Sequence, residues 1–237
     1  MYRKNLTVVI PCYNEQNTIG KVVKTVQQSL LTSRIFNYEI IIVNDASTDS
    51  TMNISKQILI KHKNVKLINN KKNLGLGGSV LKGYKNALGK YCIYVPGDNS
   101  HPSLGLNKIF KKINFNKDEI IIPFVKNNNS RHPLRIFLSK SFTFFINKFF
   151  FLKIPYYNGL AAYPTKSIKR IRKINADFSF QAQLLILLIK KYNITFKITE
   201  TFLKENGHFF SNAIKIKNII NVLVSVFKLR IYLLNYE

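Results

Sequence analysis

Acidic residues are scarce in this chain. Its 237 residues hold 11 Asp and Glu against 37 Lys and Arg, a formal net charge of +26. That balance excludes a generally acidic surface and favours polyanions as partners: nucleic acid, anionic lipid or phosphorylated small molecules. A biased genomic base composition would give the same abundance of Lys, Asn and Ile, so charge alone is a weak guide. Cysteine is nearly absent. Cys12 and Cys92 sit beside apolar runs and are too few for a disulfide framework or a zinc site, which fits a reducing compartment. No stretch of about 18 residues is free of charge, so no membrane-spanning helix is expected. The apolar run Leu6 to Pro11 is too short for a secretory leader, and Tyr13-Asn14-Glu15 follows it at once. Internal repeats and low-complexity linkers are also missing. What remains is 46% hydrophobic, enough for a substantial core.

The apolar residues are ordered in alternation. Leu6 to Ile10 reads as a strand closed by Pro11, and Thr18 to Leu31 as a helix with Ile19, Val22, Val23, Val26 and Leu30 on one side. Tyr38 to Val43 is a second strand, almost continuous in Ile and Val as buried parallel strands are. Ser47 or Thr48 is expected to cap the next helix, which runs to about His62. Val65 to Ile68 is a third strand. Asn73 to Gly78 reads as a flexible turn, with a helix from Ser79 to Leu88. Tyr91 to Val95 is a fourth strand, broken by Pro96 and Gly97. A helix from Ser103 to Lys112 and a strand from Glu119 to Val125 complete five alternations. The pattern predicts an α/β fold with a mostly parallel, doubly wound sheet.

Beyond Lys126 the texture changes. Leu134 to Leu152 is apolar and rich in Phe, with Arg135, Ser139, Thr143 and Asn147 drawing a polar stripe. Such a helix is either buried or interfacial, and burial is the expectation. Asn158 to Pro164 reads as a loop and short strand, Phe178 to Lys191 as a helix and Ile194 to Thr199 as a strand. Asn206-Gly207-His208 turns the chain, and Ile214 to Leu234 forms a second amphipathic helix whose lysines suit either solvent or an anionic lipid surface.

Three turns leave strand carboxyl ends: Pro11 to Glu15, Asn44 to Asp49 and Pro96 to Asn99. In a parallel sheet these open on one edge, where ligands bind. They hold Glu15, Asp45, Asp49 and Asp98, a concentration that is informative in a chain with 11 acids. Carboxylates there accept hydrogen bonds from a base or ribose and can hold a divalent cation. Taken alone, Asp98 reads equally well as a turn residue capping a helix. His101 and His132 each stand alone and read as turn residues.

The ordered blocks V-V-I-P-C-Y-N-E, I-I-I-V-N-D-A-S-T-D-S-T, N-L-G-L-G-G-S-V-L-K-G and Y-V-P-G-D-N-S-H-P resemble glycosyltransferase family 2. The last block, with S-H-P after its acid, is most similar to the dolichyl- and polyprenyl-phosphate sugar synthase branch. The resemblance covers about Leu6 to Val125 and implies the GT-A fold and an inverting, metal-dependent transfer from a nucleotide-diphosphate sugar. It implies a nucleotide-sugar half over residues 1–125, an acceptor-side half over 126–212, and a C-terminal amphipathic helix over 213–237.

By the same resemblance Pro11, Tyr13 and Glu15 shape the nucleoside pocket, with Glu15 on the ribose. Val43 and Asp45 meet the base, and Gly75, Gly77, Gly78 and Gly97 let the backbone approach the nucleotide. Asp49 supports a helix N-terminus. The glycines are not a Walker loop, since no Gly-Lys-Ser/Thr follows. Asp98 matches the last acid of the family's Asp-x-Asp motif and is the expected catalytic ligand of Mg²⁺ or Mn²⁺. Two family acids are missing: Pro96 replaces the first of that motif, and Asn44 the first of Asp-Asp-Gly-Ser. Asn99 or water would then fill in, and an altered or non-catalytic protein stays open.

An alcohol acceptor needs a general base. The acids left for that task are Asp177, Glu200 and Glu205, while the branch's usual acid is Gln183 here. A phosphate acceptor needs no base but needs cations, and Lys126, Arg131 and Arg135 follow the last sheet strand. The leading expectation is transfer to a polyprenyl phosphate by a cytoplasmic protein in peripheral contact with the inner face of the cell membrane. The alternatives are transfer to a saccharide hydroxyl in surface polysaccharide assembly, or a family 2-like protein without catalysis. Nucleic acid is not an expected partner, because the aromatics cluster in apolar runs rather than among basic residues.

Overall fold

A computed structural model describes residues 4–126, 133–172, 174–203 and 216–235. The main sheet runs in the order β3-β2-β1-β4-β6. Its strands are β1 (Lys4–Cys12), β2 (Tyr38–Asn44), β3 (Val65–Asn69), β4 (Gly89–Tyr94) and the short β6 (Tyr163–Pro164). The first four are mutually parallel: β1 registers Val8 with Ile40 on one side and with Ile93 on the other. β6 is antiparallel to β4, pairing Cys92 with Tyr163. Ile40, Ile41, Ile42 and Val43 are fully buried, as the continuous apolar run requires. Each such side chain contributes roughly 1.5–3 kcal/mol of burial.

One strand is not where the alternation put it. β5 (Glu119–Val125) does not lie next to β4 but pairs in parallel with β7 (Thr195–Thr201) in a second, two-stranded sheet. It reaches the main sheet through one antiparallel bridge, Ile121 to Ala162. A segment from the later half of the chain is therefore wedged between β4 and β5. Periodicity reports that a strand exists, not which neighbour it takes.

The helices are α1 (Ile19–Thr32), α2 (Thr51–Lys61), α3 (Gly75–Asn86), α4 (Ser103–Lys112), α5 (Pro133–Phe150), α6 (Thr165–Lys169), α7 (Phe180–Ile186) and α8 (Ile216–Leu234). A π-helical turn, Leu187–Lys191, continues α7. α1 lies beside α2 and α4, and α3 lies across β1 and β2. Two expectations need correction. α2 starts at Thr51, so Ser47 and Thr48 do not cap it; both are bonded to Asn14 instead. The glycines expected in a flexible turn form the first turn of α3. They are needed for packing: a Cβ on Gly77 would come within 2.4 Å of the Ala176 carbonyl oxygen.

α5 is also less buried than expected. Ile146 and Phe150 enter the core, whereas Phe137 and Phe144 face solvent. Asn147, expected on a polar stripe, closes the end of the helix: its amide donates to Ile154 O, and its carbonyl accepts from Ile154 N and the Tyr157 hydroxyl.

A buried carboxylate locks the amino ends of the sheet. Glu39 accepts from the Thr7 hydroxyl at 2.7 Å, from Leu88 N at 2.6 Å and from Lys66 Nζ at 2.7 Å. Glu39→Ala leaves the first two donors without a partner in the interior. It should lower unfolding free energy by roughly 3 kcal/mol in urea titration, with an unchanged slope.

Candidate active site

Three turns continue from the carboxyl ends of β1, β2 and β4. Pairing of these strands holds the turns side by side: Asp45 N donates to Cys12 O at 2.9 Å, and Gly97 N to Pro11 O at 3.1 Å. Each turn contains one residue with left-handed backbone, Asn14 (φ 57°), Ala46 (φ 58°) and Asn99 (φ 59°). Such a residue reverses the chain abruptly after a strand, which keeps each turn on the rim. Gly97 has no room for a side chain, since its Cβ would sit 2.9 Å from Pro11 O and 3.3 Å from Glu15 Cγ.

The first two turns are laced together. Asn14 N donates to Ser47 Oγ at 3.0 Å, and Thr48 N donates back to Asn14 Oδ1 at 2.9 Å. Gln16 N donates to Asp49 Oδ2 at 3.1 Å, and Ser50 N to Gln16 Oε1 at 3.0 Å. Asp49 also accepts from Thr51 N at the start of α2. These hydrogen bonds hold its carboxyl below its ordinary value, although burial opposes them. Glu15 moves the other way. Burial raises its pKa most; the Thr18 hydroxyl opposes this, and the charges of Asp98 and Asp49 add to it. Glu15, Asp45 and Asp49 also help burial push the Cys12 thiol up to about 12. The acids scattered in sequence thus share one electrostatic neighbourhood.

Asp45 is buried and fixed. Its Oδ1 accepts from Asn70 Nδ2 and from Leu74 N, each at 2.8 Å. Asn70 is held in turn by Ser79 Oγ and by Lys82 Nζ, the latter at 2.6 Å. Both bonds on Asp45 fall on one oxygen. Asn70 and Lys82 escaped the reading of the sequence, although Asn70 follows directly on the end of β3, on the same rim. Tyr13 presents an exposed ring there, whereas Val43, expected to meet the base, is wholly buried between β1 and β3. Gly75 begins α3 with φ 72° and open space around it.

Asp98 is exposed, and its Oδ1 accepts from Ser100 N at 2.9 Å. Beneath it lies a second pair that sequence reasoning missed. The Tyr94 hydroxyl accepts from Gln181 Nε2 at 2.8 Å, while Gln181 Oε1 is buried without a partner. A long-range contact of this kind leaves no trace in sequence spacing.

Asn99 Oδ1 is likewise buried without a partner. Among the described residues no group of three or more His, Cys, Asp or Glu could hold a metal by itself. One exposed carboxylate with a neighbouring amide oxygen fits Mg²⁺ or Mn²⁺ of the kind shared with substrate phosphates, which needs only one or two protein carboxylates.

Where the sequence led us to expect the acceptor, Lys126 and Lys108 both clasp Glu200, at 3.0 and 2.8 Å. That pairing lowers the Glu200 pKa. Asp177 accepts from Ser179 and Gln183, and from the Ser225 hydroxyl on α8. Arg135 lies in the first turn of α5. Arg131, His132, Glu205 and the turn at Asn206 to His208 lie outside the described residues.

Comparison with known proteins places this geometry. The model for "Glycosyl transferase family 2" matches residues 7–173. The chain belongs to glycosyl transferase family 2. Curated relatives include a dolichyl-phosphate beta-glucosyltransferase of Dictyostelium discoideum, 33% identical over 110 residues, 44% of this chain and 34% of that protein. A dolichol-phosphate mannosyltransferase of Pyrococcus furiosus is 30% identical over 113 residues, 48% of this chain and 31% of that protein. The family 2 chain therefore spans about a third of the length of these two relatives.

Among solved structures, glucosyl-3-phosphoglycerate synthase from Mycobacterium tuberculosis, in complex with Mn²⁺, UDP and phosphoglyceric acid, superposes with a TM-score of 0.68 at 12% identity. The match covers 96% of this chain and 78% of that one. The mannosyltransferase PcManGT from Pyrobaculum calidifontis, in complex with GDP-Man and Mn²⁺, gives 0.62 at 15% identity, covering 98% and 65%. These likenesses show that the family 2 fold is the expected GT-A fold.

Ala46 carries a cost that this site imposes. A residue with a Cβ is strained at φ 58° by roughly 1–2 kcal/mol. Ala46→Gly should therefore raise stability by about 1 kcal/mol in chemical denaturation, against the usual penalty of introducing glycine.

Proposed function

We propose that this chain is a metal-dependent, inverting glycosyltransferase. It takes a sugar from a nucleotide diphosphate and passes it to a lipid-linked phosphate at the cytoplasmic face of the membrane. The observation that carries this reading is the shared rim, where Tyr13, Glu15, Asp45 and Asp98 meet on three hydrogen-bonded turns. Tyr13 offers a ring face to the base. Asp45, with Oδ1 already occupied by Asn70 and Leu74, has Oδ2 to accept an imide N–H. Glu15 accepts from ribose, with the backbone of Pro11, Gly75 and Gly97 forming the wall. Asp98, with Asn99 beside it, would hold Mg²⁺ or Mn²⁺, which would neutralise charge growing on the leaving diphosphate. The loss of an acid at Pro96 is consistent with an ion bound mainly through the nucleotide.

The acceptor follows from what the two described candidate bases are doing. Glu200 is neutralised by two lysines and its lowered pKa makes it a poor base. Asp177 is filled by hydrogen bonds from Ser179, Gln183 and Ser225. A hydroxyl acceptor would need one of them or Glu205. A phosphate oxygen is already ionised and attacks the anomeric carbon unaided. Lys126 and Lys108 exceed the single charge of Glu200, and Arg131 and Arg135 follow Lys126 in the chain, which supplies the cations that such an acceptor needs.

A screen of nucleotide sugars by thermal unfolding tests the donor. The true donor should raise the melting temperature by several degrees with Mn²⁺ and far less without it. Asp98→Asn should abolish turnover while leaving the melting temperature of the free protein unchanged; retained turnover rules out its metal role. Asn70→Ala removes one of the two bonds that aim Asp45. It should raise the donor KM about tenfold with little change in kcat. Labelled donor supplied with polyprenyl phosphate or with an oligosaccharide separates the two acceptor classes by which product forms.

A further inference from the structure

Glu200 lies near the carboxyl end of β7 with two lysines on its side chain. Lys108 Nζ meets Oε2 at 2.8 Å and Lys126 Nζ meets Oε1 at 3.0 Å, so each oxygen has its own ammonium. These bonds hold the carboxyl below its ordinary value. Lys108 also lies over the Phe202 ring, 4.8 Å from its centre, a contact that steadies it independently of Glu200. The Glu200 side chain is 32% exposed, and the fold gains little from ion pairs in such contact with water.

The strand directions place this cluster on the rim that carries Asp98. β6 is antiparallel to β4, with Tyr163 opposite Cys92. Ala162 bridges antiparallel to Ile121, so β5 and β7 run in the same direction as β4. Along these ladders Ile121 is level with Ile93, and Glu200, which pairs with Phe124, is level with Pro96. Three strand spacings separate the two, roughly 14 Å across the sheet. A diphosphate with its sugar ring can fill such a gap. Lys108 is on α4, the helix that follows the Asp98 turn directly.

A carboxylate between two ammonium groups has the charge pattern of a bound anion. Exchange of Glu200 for another monoanion brings the lysines no additional charge. A phosphate monoester at neutral pH brings them about twice as much, and its oxygens can take a separate hydrogen bond from each lysine, as those of Glu200 do. Glu200 is exposed enough to turn out into water when it is displaced. We propose that Glu200 occupies the Lys108–Lys126 anion site until a phosphate monoester displaces it, and that this exchange rejects monoanions such as carboxylates and phosphodiesters. The identity of the ligand rests on the phosphate-acceptor reading above; the exchange itself rests on the ion-pair geometry. Glu200 then determines which acceptors are admitted, although it is not the base.

Carboxyl NMR of the full chain reads the exchange without turnover. At pH 7.5, phenyl phosphate should move the Glu200 carboxyl resonance to that of an unpaired, solvated glutamate, and dimethyl phosphate should leave it in place. Binding of phenyl phosphate should strengthen as pH rises through about 6, where the monoester gains its second charge. Glu200→Gln, a change of charge at constant size, should bind phenyl phosphate about fivefold tighter and also admit dimethyl phosphate. With labelled donor, the same variant should lower the KM for polyprenyl phosphate by a similar factor. A Glu200 resonance unmoved by phenyl phosphate overturns the proposal, as does phosphate binding that is unchanged or weaker in Glu200→Gln. Turnover of polyprenyl phosphate with an unchanged KM in the variant also overturns it, while leaving the acceptor reading intact. Displacement of Glu200 by phenyl phosphate without glycosylation of polyprenyl phosphate supports the anion site and removes the lipid acceptor.

Discussion

β1 pairs in parallel with β2 on one side and β4 on the other, and everything at the site depends on that register. The pairing does more than bury Ile and Val. It delivers three strand ends to one edge, and there the chain turns sharply three times through left-handed residues at Asn14, Ala46 and Asn99. Hydrogen bonds from Asp45 N and Gly97 N to the end of β1 continue the sheet's own pattern into the turns. The acids at this edge therefore need no dedicated scaffold. Their placement is a by-product of sheet formation; burial, joined by the charges of Asp98 and Asp49, raises the pKa of Glu15.

Around that edge, neutral side chains hold charged ones in place. Asn70, itself held by Lys82, fixes one oxygen of Asp45, and Asn14 and Gln16 tie the first turn to the second. Low dielectric makes such bonds strong and makes their loss costly. The surface around Glu200 and Asp177 is built differently. There, cations outnumber the acid they clasp, and the two described carboxylates that could act as bases are occupied. The contrast between an acid-rich rim and a cation-rich neighbour whose described acids are occupied is the physical ground for proposing a phosphate acceptor. It also accounts for how so few acids serve a chain with this charge: several of the 11 stand together at the rim.

The outer surface follows a different logic from the core. α8 buries one apolar face and exposes another, and a bond from Ser225 to Asp177 fixes which is which. Asp177 follows Ala176, whose carbonyl packs on Gly77 in the first turn of α3, one turn from the Leu74 amide that holds Asp45. α8 and the rim are thus joined by a short run of contacts.

Much of this was legible in the amino-acid order because it is local. Strand and helix alternation, the turn residues, and the clustering of Glu15, Asp45, Asp49 and Asp98 at strand ends all arise from periodicities of two and 3.6 and from breakers at known positions. The sequence by itself determined the parallel core, the rim and the family. Tertiary structure decided what depends on partners distant in the chain. β5 takes β7 as neighbour because the segment at Ala162 and Tyr163 occupies the edge of β4. The glycines of α3 serve a contact with Ala176. Gln181 reaches Tyr94, and α5 turns two of its six phenylalanines, Phe137 and Phe144, outward. A pattern of apolar residues states that a face must be covered, but it does not say by what, since helix–core, helix–lipid and strand–strand contacts all reward the same side chains.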